Sequence, residues 1–254
     1  MKLSVIYVNY RTSHCLQQSL PLLITSLKKN SSEIYIIDNN SWDDRLSALR
    51  QDYPMVNFLR NSHNLGFARA CNTALRHCKG NYILLLNPDV YLQPTTLSSM
   101  LHYMSQHKDI GILAPQLRFQ DGSLQHSCRR YPTPLVHFLN MLYPCARRVQ
   151  HYLMKNIDHS SPQDIDWSLG AFLLVRREVL DKIGYLDERF FLYFEDVDLC
   201  RRAKKAGWRV VYYPKAVATH LYQRSSRLLF SKPFLHHVKS MYFYYKKHGI
   251  HNNR

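Results

Sequence analysis

Short, continuously apolar segments alternate with amphipathic segments along the first half of the chain. The apolar segments are LSVIYV, EIYIID, VNFLR and NYILLL, which begin at residues 3, 33, 56 and 81. Each has the length of a strand, and helical patterns separate them. Buried strands that alternate with helices are typical of a parallel sheet covered on both faces. We therefore predict an α/β protein with a mostly parallel central sheet flanked by helices.

The second half of the chain is less regular. Residues 110–119 read as a strand interrupted at Pro115, and residues 165–184 read as a strand that leads into a short helix. Residues 195–208, EDVDLCRRAKKAGW, predict an amphipathic helix with acids in its first turn and bases in its last, as the helix dipole favours. The proline-containing residues 120–164 show little periodicity, and we interpret them as a long excursion that forms part of a binding site for an acceptor.

Polar residues directly follow several predicted strands. Asn9, Asp38, residues 60–64 and residues 87–89 all stand at carboxyl ends of strands, which is the edge where open parallel sheets bind ligands. Asp38 can accept hydrogen bonds from a nucleobase, or it can instead cap the next helix as an Asx turn. Asp89 can bind a hard divalent cation, which in proteins usually takes one or two carboxylates together with substrate phosphates.

The segment HNLGFARACN, residues 63–72, connects a predicted strand to a helix. Gly66 permits close approach to the backbone, and Arg69 can neutralise phosphate charge, with Asn64 beside them. The segment has neither the G-x-G-x-x-G spacing nor the P-loop spacing. An ordinary dinucleotide-dependent dehydrogenase and a P-loop NTPase are therefore both disfavoured.

Three acids follow a run of aromatic residues in FFLYFEDVDL, residues 190–199. A carboxylate beside apolar surface is costly to desolvate, and a partly desolvated Asp196 can act as a general base. His220 lies 24 residues later, in a predicted loop, after enough chain for one helix and one strand, so it can reach a cation held by Asp89. Each feature alone also fits a structural role, since acids are common in first helical turns and the chain has 14 histidines.

The formal net charge of +16 is unevenly placed. Thirteen Lys and Arg residues and no Asp or Glu follow Asp198. Such a basic end indicates an anionic partner, which could be membrane headgroups, a substrate with a pyrophosphate group or nucleic acid. A surface made only for solubility would not carry the aromatic residues of this end, which are Phe230, Phe234, Tyr242, Phe243, Tyr244 and Tyr245.

The composition also argues against several classes of protein. No apolar run approaches the ~20 residues of a membrane helix. The N-terminal segment MKLSVIYVNY is too short for a signal peptide, so we expect a cytoplasmic protein. The six cysteines form no C-x-x-C pair and have no zinc spacing, so we expect inert thiols.

Taken in order, these motifs resemble those of the inverting GT-A glycosyltransferases of family 2, and in particular the bacterial rhamnosyltransferases of O-antigen and cell-wall polysaccharide. They are VNY, IIDNNS, NLGFARACN, LLLNPD, WSLGAFLLVRRE, GYLDERFFLYFEDVDLCRRAKKAGWRVVY and TH. The resemblance implies a GT-A domain over residues 1–222, with a nucleotide-binding half at about 1–118 and an acceptor-binding half at about 119–222. A basic, aromatic-rich helical tail that associates with the membrane would follow over residues 223–254.

The resemblance also carries roles onto single residues. Asp38 matches the acid that contacts the donor base, and the other expected residues of the nucleotide-sugar site are Asn9, Asn64, Gly66, Arg69 and Asn87. Asp89 and His220 match ligands of Mg²⁺ or Mn²⁺, although Asn87 replaces the first acid of the D-x-D pattern. Asp196 matches the catalytic base, and Glu195 is expected to support it. The expected acceptor-binding residues are Trp167, Gly170 and Ala171.

The resemblance implies a metal-dependent transfer that inverts the sugar. The expected reaction takes L-rhamnose from dTDP-L-rhamnose to a polyprenyl-diphosphate-linked saccharide at the cytoplasmic face of the inner membrane. A donor such as a UDP-hexose or UDP-galactofuranose is the alternative within the family. A basic nucleic-acid-binding protein is the alternative from another class, but it leaves the NPD, EDVD and His220 motifs unexplained, so we expect no nucleic acid partner. An inactive relative is disfavoured because four expected site residues are retained, namely Asp38, Asp89, Asp196 and His220.

Overall fold

The computed structural model describes residues 2–27, 31–41, 43–143, 145–221 and 231–250. Its strands are β1 (Leu3–Asn9), β2 (Ser32–Asp38), β3 (Asn57–Arg60), β4 (Tyr82–Leu86), β5 (Val90–Leu92), β6 (Ile110–Arg118), β7 (Leu124–Gln125), β8 (Cys128–Arg129), β9 (Gln163–Asp164), β10 (Trp167–Ser168), β11 (Phe172–Arg176) and β12 (Arg209–His220). Its helices are α1 (Ser13–Leu27), α2 (Asp44–Asp52), α3 (Phe67–Leu75), α4 (Thr96–Gln106), α5 (Pro134–Leu142), α6 (Arg147–Tyr152), α7 (Arg177–Ile183), α8 (Glu195–Lys205) and α9 (Lys232–His248).

The central sheet has the strand order β3-β2-β1-β4-β11-β6-β12-β5. β1 pairs in parallel with β2 and β4, β2 pairs in parallel with β3, and β6 pairs in parallel with β12. β11 lies antiparallel between β4 and β6, and β5 lies antiparallel to β12 at the edge. The predicted α/β class, with a mostly parallel sheet and flanking helices, is confirmed.

The sheet is covered on both faces because successive strand residues point to opposite sides. In β1, Val5 and Tyr7 belong to one buried cluster, together with apolar residues of α1 and α4. Ile6 and Val8 belong to the other cluster, together with residues of α3, α7 and α8. This two-sided burial explains why the strands read as continuous apolar runs rather than as alternating patterns.

Two details of the predicted second half are wrong. β6 continues through Pro115 without a break, and its partner β12 absorbs the irregularity as a shift of register between Tyr213 and Val217. His220 is the last residue of β12, paired with Val90 of β5, rather than a loop residue. The pairing with an edge strand keeps the chain extended beyond the predicted end of the strand.

Residues 120–164 form short elements beside the sheet. β7 pairs with β6, β9 pairs with β12, and β8 pairs with β10 in a separate two-stranded ribbon. The ribbon places Arg129 opposite Trp167. This excursion therefore returns to the segment that leads into β11.

The C-terminal helix α9 packs on the body of the protein. Ser231 caps its start by accepting a hydrogen bond from Phe234 N, and Gly249 ends it with a φ of +79°. Tyr244 and Ser240 on its inner side are buried. Part of the predicted tail, residues 223–230 and 251–254, lies outside the described residues. Within the described ranges, no helix combines the length and apolar character needed to cross a membrane.

Candidate active site

The ends of β1, β2 and β3 lie in register at one edge of the sheet. Asn9 pairs with Asp38 across β1 and β2, and Asp38 pairs with Arg60 across β2 and β3. On the other side of β1, β4 ends at Leu86, opposite Tyr7, and Asn87 follows. The parallel pairing therefore brings together the polar strand ends that the sequence places far apart.

Asp38 is buried and held by its neighbours. Asn9 Nδ2 donates to Asp38 Oδ1 over 3.1 Å, and Ser41 Oγ donates to the same oxygen over 2.9 Å. Arg60 Nε lies 3.8 Å from Asp38 Oδ2. The Ser41 backbone amide, three residues on, also donates to the carboxylate. The next helix, α2, is capped by the side chain of Asp43, so Asp38 does not have the capping role that was the alternative to base binding.

Asn39 is a residue of this edge that the sequence analysis passed over. Its Nδ2 donates to Asn64 Oδ1 over 2.8 Å, and its Oδ1 accepts from Asn61 Nδ2 and from the Leu65 amide. The buried side chain therefore fixes the loop between β3 and α3. The consecutive asparagines of IIDNNS are the available sequence signal, since Asn favours such side chain–backbone contacts.

Gly66 and Arg69 meet the segment that precedes α8. The Phe67 amide donates to Phe191 O over 2.7 Å, and a Cβ on Gly66 would lie 2.4 Å from that oxygen. Gly66 also has a φ of +81°, so two constraints favour glycine there. Arg69 Nε lies 3.5 Å from Glu188 Oε2, and its side chain is half exposed. The close approach that Gly66 permits is thus made by the Phe191 backbone.

A pocket of about 330 Å³ opens beside Asn64 and Arg69. Arg189 and Lys239 contribute positive charge to its lining, and Glu188 contributes the opposing negative charge. Two of the residues expected in the nucleotide-sugar site therefore line a recess that can take an anionic ligand.

Asp89 and His220 are brought together by the pairing of β5 with β12. The Leu221 amide donates to Asp89 O over 3.0 Å, and His220 Nε2 lies 3.5 Å from Asp89 Oδ2. His220 is buried, and its Nδ1 lies 2.8 Å from Gln125 Oε1. Nδ1 therefore faces Gln125, and Nε2 on the other side of the ring is turned toward Asp89.

The Asp89 and His220 pair fits a divalent cation. Two ligands of one such ion lie about 3 Å apart, close to the 3.5 Å separation between Nε2 and Oδ2. No group of three or more His, Cys, Asp or Glu residues suited to a metal exists in the part of the chain that the structure describes. An ion held here would thus complete its coordination with waters and substrate oxygens, as Mg²⁺ usually does.

Asp196 lies in the first turn of α8 and faces the start of β11. The Gly170 amide donates to Asp196 Oδ2 over 2.8 Å, and the Val197 amide donates to Oδ1 over 2.8 Å. A Cβ on Gly170 would lie 3.2 Å from Asp196 Cβ, tighter than ordinary contact. Burial raises the pKa of Asp196, and the amide of Gly170 and the charge of Arg129 oppose that rise.

Glu195 has a different environment from that of its neighbour. It is buried, and its Oε2 has no hydrogen-bond partner. Burial and then the negative charge of Asp196 raise the pKa of Glu195 well above its ordinary value. The pKa of Asp196 is also raised by burial, but the backbone amides that it accepts from oppose the rise, so Asp196 is the more readily ionised of the two carboxyl groups.

Trp167 and Ala171 lie on the same segment as Gly170, whose amide contacts Asp196. Trp167 Nε1 donates to Arg130 O over 2.8 Å, and the Arg129 guanidinium lies 5.7 Å from the Trp167 ring centroid. The Asn87 amide donates to Ala171 O over 2.9 Å, which joins this segment to the end of β4. Arg129 was missed by the sequence analysis, because its segment has no periodicity and only the pair Arg129-Arg130 marks it.

Solved structures share this architecture. The mannosyltransferase PcManGT from Pyrobaculum calidifontis, in complex with GDP-Man and Mn²⁺, aligns with a TM-score of 0.61 and 18% identity over 88% of this chain and 57% of that one. TarS from S. aureus aligns with a TM-score of 0.62 and 17% identity over 87% of this chain and 37% of that one. This chain spans little more than half of the first protein and about a third of the second. The fold is that of the GT-A glycosyltransferases.

Comparison with related sequences shows the family of glycosyltransferases to which the chain belongs. Residues 4–184 match the model of glycosyl transferase family 2, and the chain belongs to this family. It is 30% identical to the N-acetylglucosaminyl-diphospho-decaprenol L-rhamnosyltransferase of Mycobacterium tuberculosis strain H37Rv, over 95% of this chain and 83% of that protein. It is 28% identical to the rhamnosyltransferase WbbL of Escherichia coli strain K12, over 95% of this chain and 93% of that protein. The predicted family is thus confirmed.

Proposed function

We propose that this glycosyltransferase moves L-rhamnose from dTDP-L-rhamnose onto a lipid-diphosphate-linked saccharide in O-antigen or cell-wall polysaccharide synthesis, with inversion at the sugar. The observation that carries the proposal is the half-buried carboxylate of Asp196 at the start of α8, held by the Gly170 amide. The two relatives named as rhamnosyltransferases match nearly the whole chain and support rhamnose as the sugar.

The donor side of the site consists of Asn9, Asp38, Asn64, Gly66, Arg69 and Asn87. Asp38 is oriented by Asn9 and Ser41 and is assigned to the base of the nucleotide. Arg69 lines the pocket beside Asn64 and is assigned to the negative charge of the donor. We assign this side to the nucleotide because its parallel strands end together at one edge.

Asp89 and His220 are assigned to a divalent cation, Mg²⁺ or Mn²⁺. When bound, such an ion supplies positive charge opposite the diphosphate leaving group. Gln125 contacts Nδ1 of His220 and so orients the ring, and the Leu221 amide donates to the backbone oxygen of Asp89. PcManGT, which shares the fold, was solved with Mn²⁺, which supports a divalent cation as the cofactor.

The acceptor side consists of Trp167, Gly170, Ala171, Glu195 and Asp196. Asp196 takes the proton of the acceptor hydroxyl as its O–H bond breaks, and the oxygen forms a bond to the anomeric carbon. The bond from that carbon to the diphosphate oxygen breaks on the opposite face, and its electron pair leaves with the nucleoside diphosphate. One base suffices, because a diphosphate leaves without the general acid that a glycoside hydrolase needs.

The domain assignment stays as the sequence predicts it. Residues 1–222 form the catalytic domain, and the basic segment from 223 onward places it on the cytoplasmic face of the inner membrane. A lipid-linked acceptor is confined to a bilayer, so the enzyme must work at its surface. Each Lys or Arg near an anionic membrane contributes about 1 kcal/mol to binding, and α9 carries the exposed lysines Lys232, Lys239 and Lys246.

A panel of nucleotide sugars tests the proposed donor. The protein is incubated with dTDP-L-rhamnose, UDP-hexoses or UDP-galactofuranose and Mg²⁺ or Mn²⁺, with and without a polyprenyl-diphosphate-linked N-acetylglucosamine, and free nucleoside diphosphate is measured. The proposal expects release that depends on acceptor and cation and is fastest with dTDP-L-rhamnose. Fastest release from another donor would overturn the rhamnose assignment. Tight, salt-sensitive binding of nucleic acid without any release of nucleoside diphosphate would overturn the proposal that the protein is a glycosyltransferase in favour of a nucleic-acid-binding protein.

A further inference from the structure

The inner face of α9 lies against the segment that carries the catalytic acids. Ser240 Oγ donates to Leu192 O over 2.9 Å. The rings of His236 and Phe191 stack at 4.1 Å, and His237 lies 5.3 Å from the Phe194 ring. We call residues 190–196 the catalytic loop, and α9 thus contacts it along two helical turns.

The catalytic loop has a backbone that needs outside support. Tyr193 and Phe194 both have a φ of +68°, in the left-handed region that side chains with a Cβ disfavour. Two such residues in a row persist only where surrounding contacts determine them. They directly precede Glu195 and Asp196, so the same contacts set the position of Asp196.

The C-terminal end of α9 is joined to α8 by buried charges. Lys247 Nζ lies 2.6 Å from Asp198 Oδ1 and 2.7 Å from Asp187 Oδ2. His248 Nε2 lies 2.7 Å from Asp198 Oδ1. Arg201 of α8 donates to Tyr244 Oη over 2.9 Å. These contacts hold α8, the helix that begins with Glu195 and Asp196, against the C-terminal half of α9.

The outer face of α9 is exposed, unlike the inner face, and it carries apolar side chains with lysines beside them. Leu235, Val238 and Tyr242 are 56%, 40% and 61% exposed, and their spacing of three and four residues puts them on one stripe. Lys239 and Lys246 are exposed beside that stripe. An exposed apolar stripe with lysines alongside is the pattern of a helix that lies in the interface of an anionic bilayer.

We propose that α9 docks this enzyme on an anionic phospholipid bilayer through the stripe of Leu235, Val238 and Tyr242, and that its inner face holds the catalytic loop. Ser240 and Tyr244 are positioning residues for Asp196. The two faces of a helix are about 10 Å apart, so docking holds the catalytic loop close to the headgroups where a diphosphate-linked acceptor projects. The inference rests on the proposed function for the identity of that acceptor.

Vesicle sedimentation tests the outer face. Wild type is expected to bind vesicles of phosphatidylcholine that contain phosphatidylglycerol at least about tenfold more tightly than vesicles without it. The variant L235S/V238S/Y242S is expected to lose this binding, whereas M55S, which alters an apolar residue of 66% exposure elsewhere, keeps it. Equal binding by wild type and the triple variant would overturn the docking face. The measurement needs no sugar, so its failure is separable from failure of the proposed transfer.

A matched pair of tyrosine variants tests the inner face. Y244F removes the hydroxyl bonded to Arg201, whereas Y245F removes a buried hydroxyl that has no hydrogen-bond partner. With a water-soluble acceptor, S240A/Y244F is expected to lose roughly tenfold to a hundredfold in kcat with little change in donor KM, and Y245F is expected to lose almost nothing. Amide hydrogen exchange over residues 190–196 is expected to quicken only in S240A/Y244F. Unchanged kcat and unchanged exchange in that variant would overturn the positioning role.

Discussion

The donor side of the site is fixed by neighbouring backbone, whereas the acceptor side is fixed by contacts between residues far apart in the sequence. Asn9 and Asp38 lie opposite each other because two parallel strands end together. Asp196 has its position because α8 contacts Gly170 on one side and α9 on the other. The residues assigned to donor binding and the residue assigned as base therefore depend on separate parts of the structure, and we expect that each side can be damaged without the other.

Replacing Asp196, the assigned base, is expected to give the largest difference between the effect on transfer and the effect on donor binding. We expect D196N to lower transfer by about 10² to 10⁴, because an amide cannot take the acceptor proton. Donor affinity, measured by calorimetry, is expected to stay within about twofold of wild type. D164N is the control, since Asp164 lies in an exposed pair with Arg209. Near-normal transfer by D196N would refute the base assignment.

Removing the cation ligand is expected to damage the donor side instead. D89A should weaken donor binding about tenfold to a hundredfold in Mg²⁺ or Mn²⁺, because the leaving diphosphate loses an opposing charge. In a chelator the variant and wild type should bind donor equally weakly. A D89A enzyme that keeps the metal requirement of wild type contradicts the assignment.

We expect the ion pairs of Asp198 to stabilise the folded protein, because they join α8, which carries Asp196, to α9. D198A should lower the free energy of unfolding by about 3–5 kcal/mol, because Arg202, Lys247 and His248 lose a buried partner. D109A breaks an exposed pair with Arg209 and should cost about 0–1 kcal/mol. Urea unfolding measures both. Equal losses would show that burial does not strengthen the contact between α8 and α9.

The same carboxylate gives that contact a pH dependence. Burial alone would raise the pKa of Asp198, but the hydrogen bond from His248 and the charges of Arg202 and Lys247 hold it below its ordinary value. Its stabilising effect is therefore complete above the pKa of an unfolded Asp and is lost as pH falls through the lower folded value. The difference in unfolding free energy between wild type and D198A should shrink in that acidic range.

The pKa of Glu195 is shifted in the direction opposite to that of Asp198. Of the four acids considered, we expect the replacement of Glu195 to have the smallest effect. The pKa of Glu195 is raised, so the group favours folding at low pH, and this contribution is lost as pH rises through the folded pKa. E195Q removes an ionisable group that is buried and has an unpartnered oxygen. We expect E195Q to gain about 1 kcal/mol of stability relative to wild type at pH 8 and less at pH 4. No pH dependence of that gain would mean that Glu195 is already solvated.

The difference between the two sides also decides what the sequence could predict. The strand ends that hold Asn9, Asp38 and Asn87 follow from apolar segment lengths alone, because parallel strands finish at a common edge. His220 was expected near Asp89 from chain length, and the β5–β12 pairing places it there, although in a strand. Local periodicity is enough where neighbours in the sheet do the positioning.

Local patterns could not predict the support of the catalytic loop. The left-handed backbone of Tyr193 and Phe194 goes against the preference of both residues, so only tertiary contacts explain it. Lys247 reads as one more charge of a basic tail, yet it bridges Asp187 and Asp198, about 50 to 60 residues earlier in the chain. Arg129 beside Trp167 depends on a two-residue ribbon that has no sequence signature.

The anomeric configuration of the product shows whether the transfer is a single displacement assisted by one base. Wild type is given dTDP-L-rhamnose, a divalent cation and a diphosphate-linked N-acetylglucosamine, and the product is examined by NMR before any further reaction. A single base at Asp196 and attack opposite the leaving diphosphate predict a linkage of configuration opposite to that of the donor. A product that retains the configuration of the donor would rule out a single displacement with Asp196 as the base.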